Sequence, residues 1–202
     1  MKILAINGSP NREGFTGKLI DMLLEACEAS GAQCEKVQLE DYAIEGCKGC
    51  KKCINGRECC LDDDYLHLKA KMVEADGIII GSPYYNGSPV EHLQALMSRL
   101  SVSSNFNRLV DKKYFVGVST SAVNDCKKIA EYCAALGDAE PSEGRMVSGL
   151  IYECLVTNDG VKDISNESAV KQKVYEVASK FINDIKEKDV SFFSRVRRLL
   201  WF

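Results

Sequence analysis

The chain has 202 residues, of which 46% are hydrophobic and 27% are charged, fractions typical of a globular domain with a substantial core. Its net charge of -3 disfavours nucleic-acid binding, which requires a basic surface, and no apolar run approaches membrane-spanning length. Residues 1–8 predict a strand and a turn instead of a signal peptide, so we expect a cytoplasmic protein.

Predicted strands and helices alternate along the chain. Short apolar runs bounded by Gly, Pro and Asn indicate the strands, and apolar residues three and four apart indicate the helices. In chain order the predicted elements are a strand at 3–6, a helix with its apolar face at 19–27, a strand at 34–39, a helix at 65–76, a strand at 78–80, a helix at 90–100, a strand at 114–118, a helix at 122–136, a strand at 146–151 and a helix at 168–185.

Five strands joined by crossover helices predict an α/β fold, with a doubly wound five-stranded parallel sheet covered by helices on both faces. We expect the strand order 2-1-3-4-5 and one domain over residues 1–186, including a cysteine-rich segment at 45–61. Residues 187–202 form an amphipathic, basic tail. We expect the tail to be an intersubunit arm of a homodimer or tetramer; a membrane surface and its own domain are the alternative contacts.

A ligand of such a sheet binds over the carboxyl ends of strands one and three, where the strand order reverses. The loop after the first strand, residues 8–16, offers hydroxyls, an amide and a cation at the start of a helix, which suits a phosphate. The side chains concerned are Ser9, Asn11, Arg12 and Thr16. The alternative is an ordinary strand-to-helix turn in which Thr16 is only the N-cap.

The loop after the third strand, residues 81–89, combines two aromatic side chains, an amide and flexible backbone. These groups suit a flat heteroaromatic ring, although the two tyrosines could instead cap the core. The residues expected to contact the ring are Pro83, Tyr84, Tyr85, Asn86 and Gly87. Together, the two loops predict a mononucleotide with a large ring.

Five of the ten cysteines lie in one short segment, which core packing does not explain. Inside a cell, such crowding indicates metal or redox chemistry. The spacing, with two gaps of two residues and one of five, favours a 4Fe-4S cluster over zinc, while a loop without metal stays open. The predicted ligands are Cys47, Cys50, Cys53 and Cys59, and spacing alone does not decide between Cys59 and Cys60. The acidic run at 62–64 is interpreted as the first turn of a helix.

With these motifs the sequence resembles the NADPH-dependent FMN reductase family of flavodoxin-like proteins and, within it, the iron–sulfur flavoproteins. The motifs are residues 8–10 with Gly14 and Thr16, residues 47–59 followed by Asp63 and Asp64, and residues 82–85. The resemblance covers the first half of the chain well and the rest only by the order of elements.

The resemblance implies a role for each loop. Ser9, Arg12 and Thr16 would hold the FMN phosphate, and residues 83–87 would contact the isoalloxazine ring. The loop after the fourth strand would contact the other edge of the ring through Ser119, Thr120 and Ser121. The chain departs from the family pattern at Asn11, where arginine is usual, and at Phe15, where asparagine is usual.

These observations predict an FMN-dependent oxidoreductase that passes electrons between a cluster and FMN. NAD(P)H, docking transiently, or a ferredoxin would supply the electrons, and a small molecule of the flavin or quinone type would accept them. No catalytic side chain is predicted, because the flavin itself carries the chemistry. The alternatives are a non-catalytic flavodoxin-like electron carrier and a metal-binding interaction domain built on the cysteine loop.

Overall fold

Five parallel strands form the central sheet of the computed structural model. The structure describes residues 1–55, 57–101, 113–122, 126–138, 147–157, 160–161 and 167–187. The strands are β1 (Lys2–Asn7), β2 (Gln33–Gln38), β3 (Gly77–Pro83), β4 (Tyr114–Ser121) and β5 (Val147–Cys154). Their order is β2-β1-β3-β4-β5, with every pairing parallel, so the predicted fold class and strand order are confirmed. A small antiparallel hairpin, β6 (Val156–Thr157) and β7 (Gly160–Val161), follows β5.

Helices cover both faces of the sheet. They are α1 (Phe15–Ala29), α2 (Tyr65–Glu74), α3 (Glu91–Leu100), α4 (Lys127–Ala134) and α5 (Ser168–Glu187), with short 3-10 turns at Leu39–Asp41, Lys52–Asn55 and Ala135–Asp138. Among the residues that the structure describes, no helix is both long enough and apolar enough to cross a membrane.

The sheet separates two apolar cores because successive side chains of a strand point to opposite faces. On β1, Ile3 packs in the core beneath α1 and α5, whereas Leu4 packs in the core beneath α2, α3 and α4. Strands β3 and β4 are buried along their whole length, as expected of central parallel strands covered on both faces.

Close packing of α4 on the sheet requires a residue without a side chain. A Cβ atom at Gly117 would lie only 1.9 Å from the carbonyl oxygen of Ala130, so α4 approaches β4 more closely than any other residue type would allow. Helix α5 ends at Glu187, one residue beyond the predicted domain boundary. The tail assigned to an intersubunit arm, from residue 188 onward, lies outside the described residues.

Candidate functional site

Three loops meet at the carboxyl edge of the sheet. The register pairs Asn7 with Gly81 at the ends of β1 and β3. The backbone N–H of Gly8 donates to the carbonyl oxygen of Gly81 at 2.8 Å, and that of Tyr84 donates to Thr120 at 2.8 Å. The loops that follow β1 and β3 are therefore joined by backbone hydrogen bonds to the neighbouring strands β3 and β4, at the point where the strand order reverses.

A buried amide pair fixes the start of the first loop, and sequence reasoning did not identify it. The side-chain Nδ2 of Asn7 donates to Oε1 of Gln38 at 2.9 Å. The Oδ1 of Asn7 accepts from the backbone N–H of Ser9 at 3.1 Å, and Nε2 of Gln38 donates to the Ser9 carbonyl oxygen. An amide side chain at the end of each of two strands that are predicted to be neighbours is the signal that could have revealed the pair.

Within the first loop, Ser9 and Asn11 organise the backbone. The Ser9 hydroxyl accepts from the Asn11 N–H and donates to the Asn11 carbonyl oxygen, both at 3.2 Å. The Asn11 side chain accepts from the N–H of Glu13 at 3.2 Å. Helix α1 then begins after Gly14, whose position as N-cap provides no side-chain hydrogen bond. The first N–H groups of α1 are thus left without a side-chain cap and face the loop.

Thr16 lies within the first turn of α1 and does not occupy the N-cap position, so the N-cap alternative is wrong. It is buried, with 1% of its surface exposed. Its Oγ1 is 2.7 Å from Oγ1 of Thr120, which is also buried, and either hydroxyl can be the donor. Two residues predicted for different loops of the site are therefore in direct contact.

Arg12 is engaged outside the first loop. Its guanidinium forms an ion pair with the carboxylate of Asp41, in the 3-10 turn that follows β2, and both side chains are about half exposed. The hydrogen bond to Asp41 raises the pKa of Arg12. The predicted cation of the phosphate pocket is thus held beside the loop by an acidic neighbour.

The second loop ends in a tight turn with an exposed aromatic side chain. Tyr85 and Ser88 exchange two backbone hydrogen bonds of 2.9 and 3.0 Å. Asn86 and Gly87 between them have positive φ angles of 49° and 86°, as in a type I′ turn. Tyr85 is 55% exposed, whereas Tyr84 packs against the core. The core-capping alternative therefore describes Tyr84 but not Tyr85.

The end of β4 supplies buried hydroxyls, because this strand extends to Ser121 and includes the three residues that were predicted for the third loop. Ser119, Thr120 and Ser121 are all buried at the end of β4, and the register places Ser119 beside Ser82 and Thr120 beside Pro83. The Ser119 Oγ has no hydrogen-bond partner among the described residues. A buried hydroxyl without a partner is uncommon and marks a place where a ligand could supply one.

The four predicted ligand cysteines line one cavity of about 50 Å³. They are Cys47, Cys50, Cys53 and Cys59, whereas Cys60 is not part of the lining. Positive φ angles at Gly49 and Lys51, of 63° and 60°, turn the backbone between the first three cysteines. Among the described residues, no three cysteine, histidine or carboxylate side chains form a site for a single metal ion.

Cys50 and Cys60 form a thiol pair on the outside of this loop, with their sulfur atoms 3.6 Å apart. The backbone N–H of Lys52 and the thiol of Cys60 lower the pKa of Cys50. Their contact raises the pKa of Cys60, because a second thiolate beside the first is unfavourable. Cys50 is therefore the more acidic thiol of the pair.

Two aspartates tie the end of the cysteine loop to its beginning. The Asp64 carboxylate accepts from the backbone N–H of Ala43 at 2.8 Å. The Asp63 carboxylate accepts from the N–H of Glu45 at 3.0 Å and from that of Tyr65 at 3.2 Å. The prediction of an acidic first turn is corrected here: α2 begins at Tyr65, its first turn contains no acidic residue, and these carboxylates serve mainly to close the loop.

The last turn of α3 forms hydrogen bonds with the beginning of the cysteine loop. The Ser98 hydroxyl accepts from the N–H of Cys47 at 3.1 Å. Arg99 forms an ion pair with Asp63, and both side chains are almost fully buried. Its Nη1 also donates to the Glu45 carbonyl oxygen at 3.3 Å. Sequence reasoning missed Arg99, although a single cation among the apolar positions of α3 was a usable signal.

Comparison with known proteins identifies the family of the chain. The sequence profile of the NADPH-dependent FMN reductase family matches residues 1–134. An iron–sulfur flavoprotein of Archaeoglobus fulgidus is 37% identical over 145 residues, which are 69% of this chain and 70% of the relative. One from Methanocaldococcus jannaschii is 40% identical over 99 residues, which are 49% of this chain and 51% of the relative. One from Clostridioides difficile is 26% identical over 93% of this chain and 81% of the relative.

Solved structures share the fold at low sequence identity. An NADH:FMN oxidoreductase superposes with a TM-score of 0.62 at 19% identity, covering 96% of this chain and 93% of that one. A flavodoxin from an archaeon superposes with a TM-score of 0.53 at 12% identity, covering 92% and 99%. At these identities the likeness establishes a flavodoxin-like fold.

Proposed function

Because the chain belongs to the NADPH-dependent FMN reductase family and is an FMN-dependent oxidoreductase, we propose that it works as an iron–sulfur flavoprotein that passes electrons between a cluster and FMN. The observation that carries the proposal is the single cavity lined by four cysteines at the predicted spacing. The 37% identity to an iron–sulfur flavoprotein of Archaeoglobus fulgidus supports it.

We propose that FMN binds at the carboxyl edge of the sheet. Uncapped N–H groups at the start of α1, together with Ser9, Asn11 and Thr16, would hold the phosphate, with Arg12 beside them. The unpartnered Ser119 hydroxyl supports a ligand at the third loop. When bound, FMN supplies hydride and single-electron chemistry.

The second loop would contact the flavin ring. Its residues from Pro83 to Gly87 run from a buried strand end to an exposed tip, and Tyr85 presents an accessible aromatic face there. An exposed tip leaves room for a second flat molecule to approach, as transient docking of NAD(P)H requires. We propose NAD(P)H or a ferredoxin as the donor and a small molecule as the acceptor, in a cytoplasmic homo-oligomer.

For the cluster we propose Cys47, Cys50, Cys53 and Cys59 as ligands. A cubane binds one thiolate at each of four iron atoms, so its ligands surround a larger volume than those of one metal ion. This explains how the loop can suit a cluster although its described residues form no site for a single ion. Cys59 is preferred to Cys60 because it lines the cavity, whereas Cys60 faces Cys50 from outside.

The decisive experiment is anaerobic purification followed by assays of iron, acid-labile sulfide and flavin. We expect about four iron and four sulfide per chain with FMN bound. Cys59→Ser protein should lose its iron and Cys60→Ser should keep it, and both should retain FMN because the flavin would bind in different loops. Flavin without iron in wild-type protein contradicts the cluster. Flavin and iron without NAD(P)H oxidation indicates a carrier that receives electrons from another protein.

A further inference from the structure

Arg99 is a buried cation, and some of its N–H groups have no oxygen acceptor among the described residues. Only 3% of its surface is exposed. Its Nη1 serves both the Asp63 carboxylate and the Glu45 carbonyl oxygen. The other two nitrogens, Nε and Nη2, are buried and have no hydrogen-bond partner among the described residues. Buried N–H groups without an acceptor are costly, so an acceptor other than these oxygens is expected.

The orientation of this guanidinium is fixed at one face and at one edge. Its central carbon lies 4.0 Å from the centre of the Tyr65 ring, so the ring holds one face of the cation. The phenol of Tyr65 donates to the Arg99 carbonyl oxygen at 3.4 Å, which ties α2 to α3 at the same place. The ion pair with Asp63 fixes one edge. The edge formed by Nε and Nη2 is therefore held in place, ready for an acceptor.

The cysteine loop lies next to the Arg99–Tyr65 stack and offers candidate acceptors. Cys59 is half-buried and packs against the apolar core that contains Tyr65. Cys47 lies beside the last turn of α3, because its backbone N–H donates to the hydroxyl of Ser98, the residue before Arg99, at 3.1 Å. Burial raises the pKa of Tyr65 to about 12, and the thiols of Cys59, Cys53 and Cys47 add to this rise. Three cysteines of the cavity thus lie within electrostatic reach of the Arg99–Tyr65 stack.

We propose that Arg99 is a positioning residue of the cluster, which donates its free N–H groups to the Cys59 sulfur and thereby raises the reduction potential of the cluster. This inference rests on the proposed function. Reduction adds one electron and no atoms, so the cluster and its thiolates gain one negative charge. A cationic N–H donor directed at a ligand sulfur stabilises the reduced cluster more than the oxidised cluster, because the reduced cluster carries more negative charge. The reduction potential therefore rises.

The arginine side chain is needed for this role because it is a planar fork with donors on two edges. A lysine at position 99 would keep the charge and could pair with Asp63, but it would lack the second edge. The alternative, in which Arg99 only holds the loop closed, requires just the edge that faces Asp63 and Glu45. The two roles therefore give different results for Arg99→Lys.

The test is a redox titration of anaerobically prepared holoprotein, with the cluster followed by visible absorption and by the electron paramagnetic resonance of its reduced form. In Arg99→Lys we expect an equilibrium constant for cluster reduction about tenfold smaller, which is a potential lower by about 59 mV for one electron. Lys48→Gln is the matched control, since it removes an exposed cation of the same loop. Its potential should change by much less.

If Arg99→Lys does not fold, a second variant allows the same comparison of cluster potentials with the wild type. Arg99→Met combined with Asp63→Asn removes every donor of the arginine and leaves no unpaired charge in the core; its potential should fall at least as far. Potentials like that of the wild type in iron-containing variants would overturn the inference and leave the proposed function standing. An equal shift in Lys48→Gln would also overturn it, because charge alone would then suffice. Wild-type protein without iron would overturn both.

Discussion

Replacing Thr16 with valine tests whether the first loop binds a phosphate. Valine has nearly the same shape and removes only the hydroxyl, which is 2.7 Å from the hydroxyl of Thr120. A hydrogen bond to a charged group contributes about 1.5–3 kcal/mol. If this hydroxyl contacts the FMN phosphate, the dissociation constant for FMN should therefore rise about 10- to 150-fold.

The assay compares FMN with riboflavin, which has the same ring and no phosphate. Quenching of flavin fluorescence on addition of flavin-free protein gives both dissociation constants. We expect Thr16→Val to weaken FMN binding and to leave riboflavin binding unchanged. A similar loss for both flavins, or for neither, would refute the phosphate assignment.

The free protein should also respond to this substitution. Because Thr16 and Thr120 are both buried, valine leaves the Thr120 hydroxyl without its partner, at a cost of about 1–3 kcal/mol in the free energy of unfolding. Thr120→Val is the matched control for stability, since it breaks the same hydroxyl pair from the other side. Urea unfolding of both variants separates this structural cost from the effect on the phosphate.

Two further predictions concern the buried ion pair and the tail. Asp63→Asn should lower the free energy of unfolding at pH 7 by about 3–5 kcal/mol, because it leaves Arg99 buried without its counter-charge. Burial raises the pKa of Asp63, but hydrogen bonds from Arg99 and from two backbone N–H groups hold it below its usual value. A lowered pKa means that the stabilisation is present above about pH 4, the usual pKa of an aspartate, and is lost as the pH falls through the lowered pKa. The free energies of unfolding of variant and wild type, measured by urea unfolding, should therefore converge on acidification, and a constant difference would contradict this. Removing the residues after Val190 should give a smaller oligomer in light scattering with the fold intact, whereas an unchanged mass and altered liposome binding would favour the membrane-surface alternative.

The sheet was predictable from the sequence because its central strands are buried on both faces. That environment selects an unbroken apolar run such as residues 78–80, and the position of the loops then follows from the parallel order. The start of α1 was expected near Thr16, and the helix begins at Phe15, so that Gly17 lies inside its first turn. Gly17 belongs to the helix for a tertiary reason: a Cβ there would lie 2.6 Å from the carbonyl oxygen of Arg12.

The polar groups that hold the loops were not predictable from local patterns. Asn7 and Gln38 are 31 residues apart, and Arg99 and Asp63 are 36 residues apart. Helical or strand periodicity shows which face a residue occupies but not which distant side chain it meets. The acidic run at 62–64 shows this limit, because an ordinary helix start and a loop closure have the same local composition.

Helix α3 connects the two proposed cofactor sites through one rigid element. Near its start, the backbone N–H of Val90 donates to the Ser82 hydroxyl at 3.1 Å, next to the loop proposed for the flavin ring. In its last turn, Ser98 and Arg99 hold the beginning of the cysteine loop. Seven residues separate Glu91 from Ser98, which corresponds to about 10 Å along a helix. One helix therefore links the two proposed sites at a set separation, and because they use different loops we expect the loss of either cofactor to leave the other site in place.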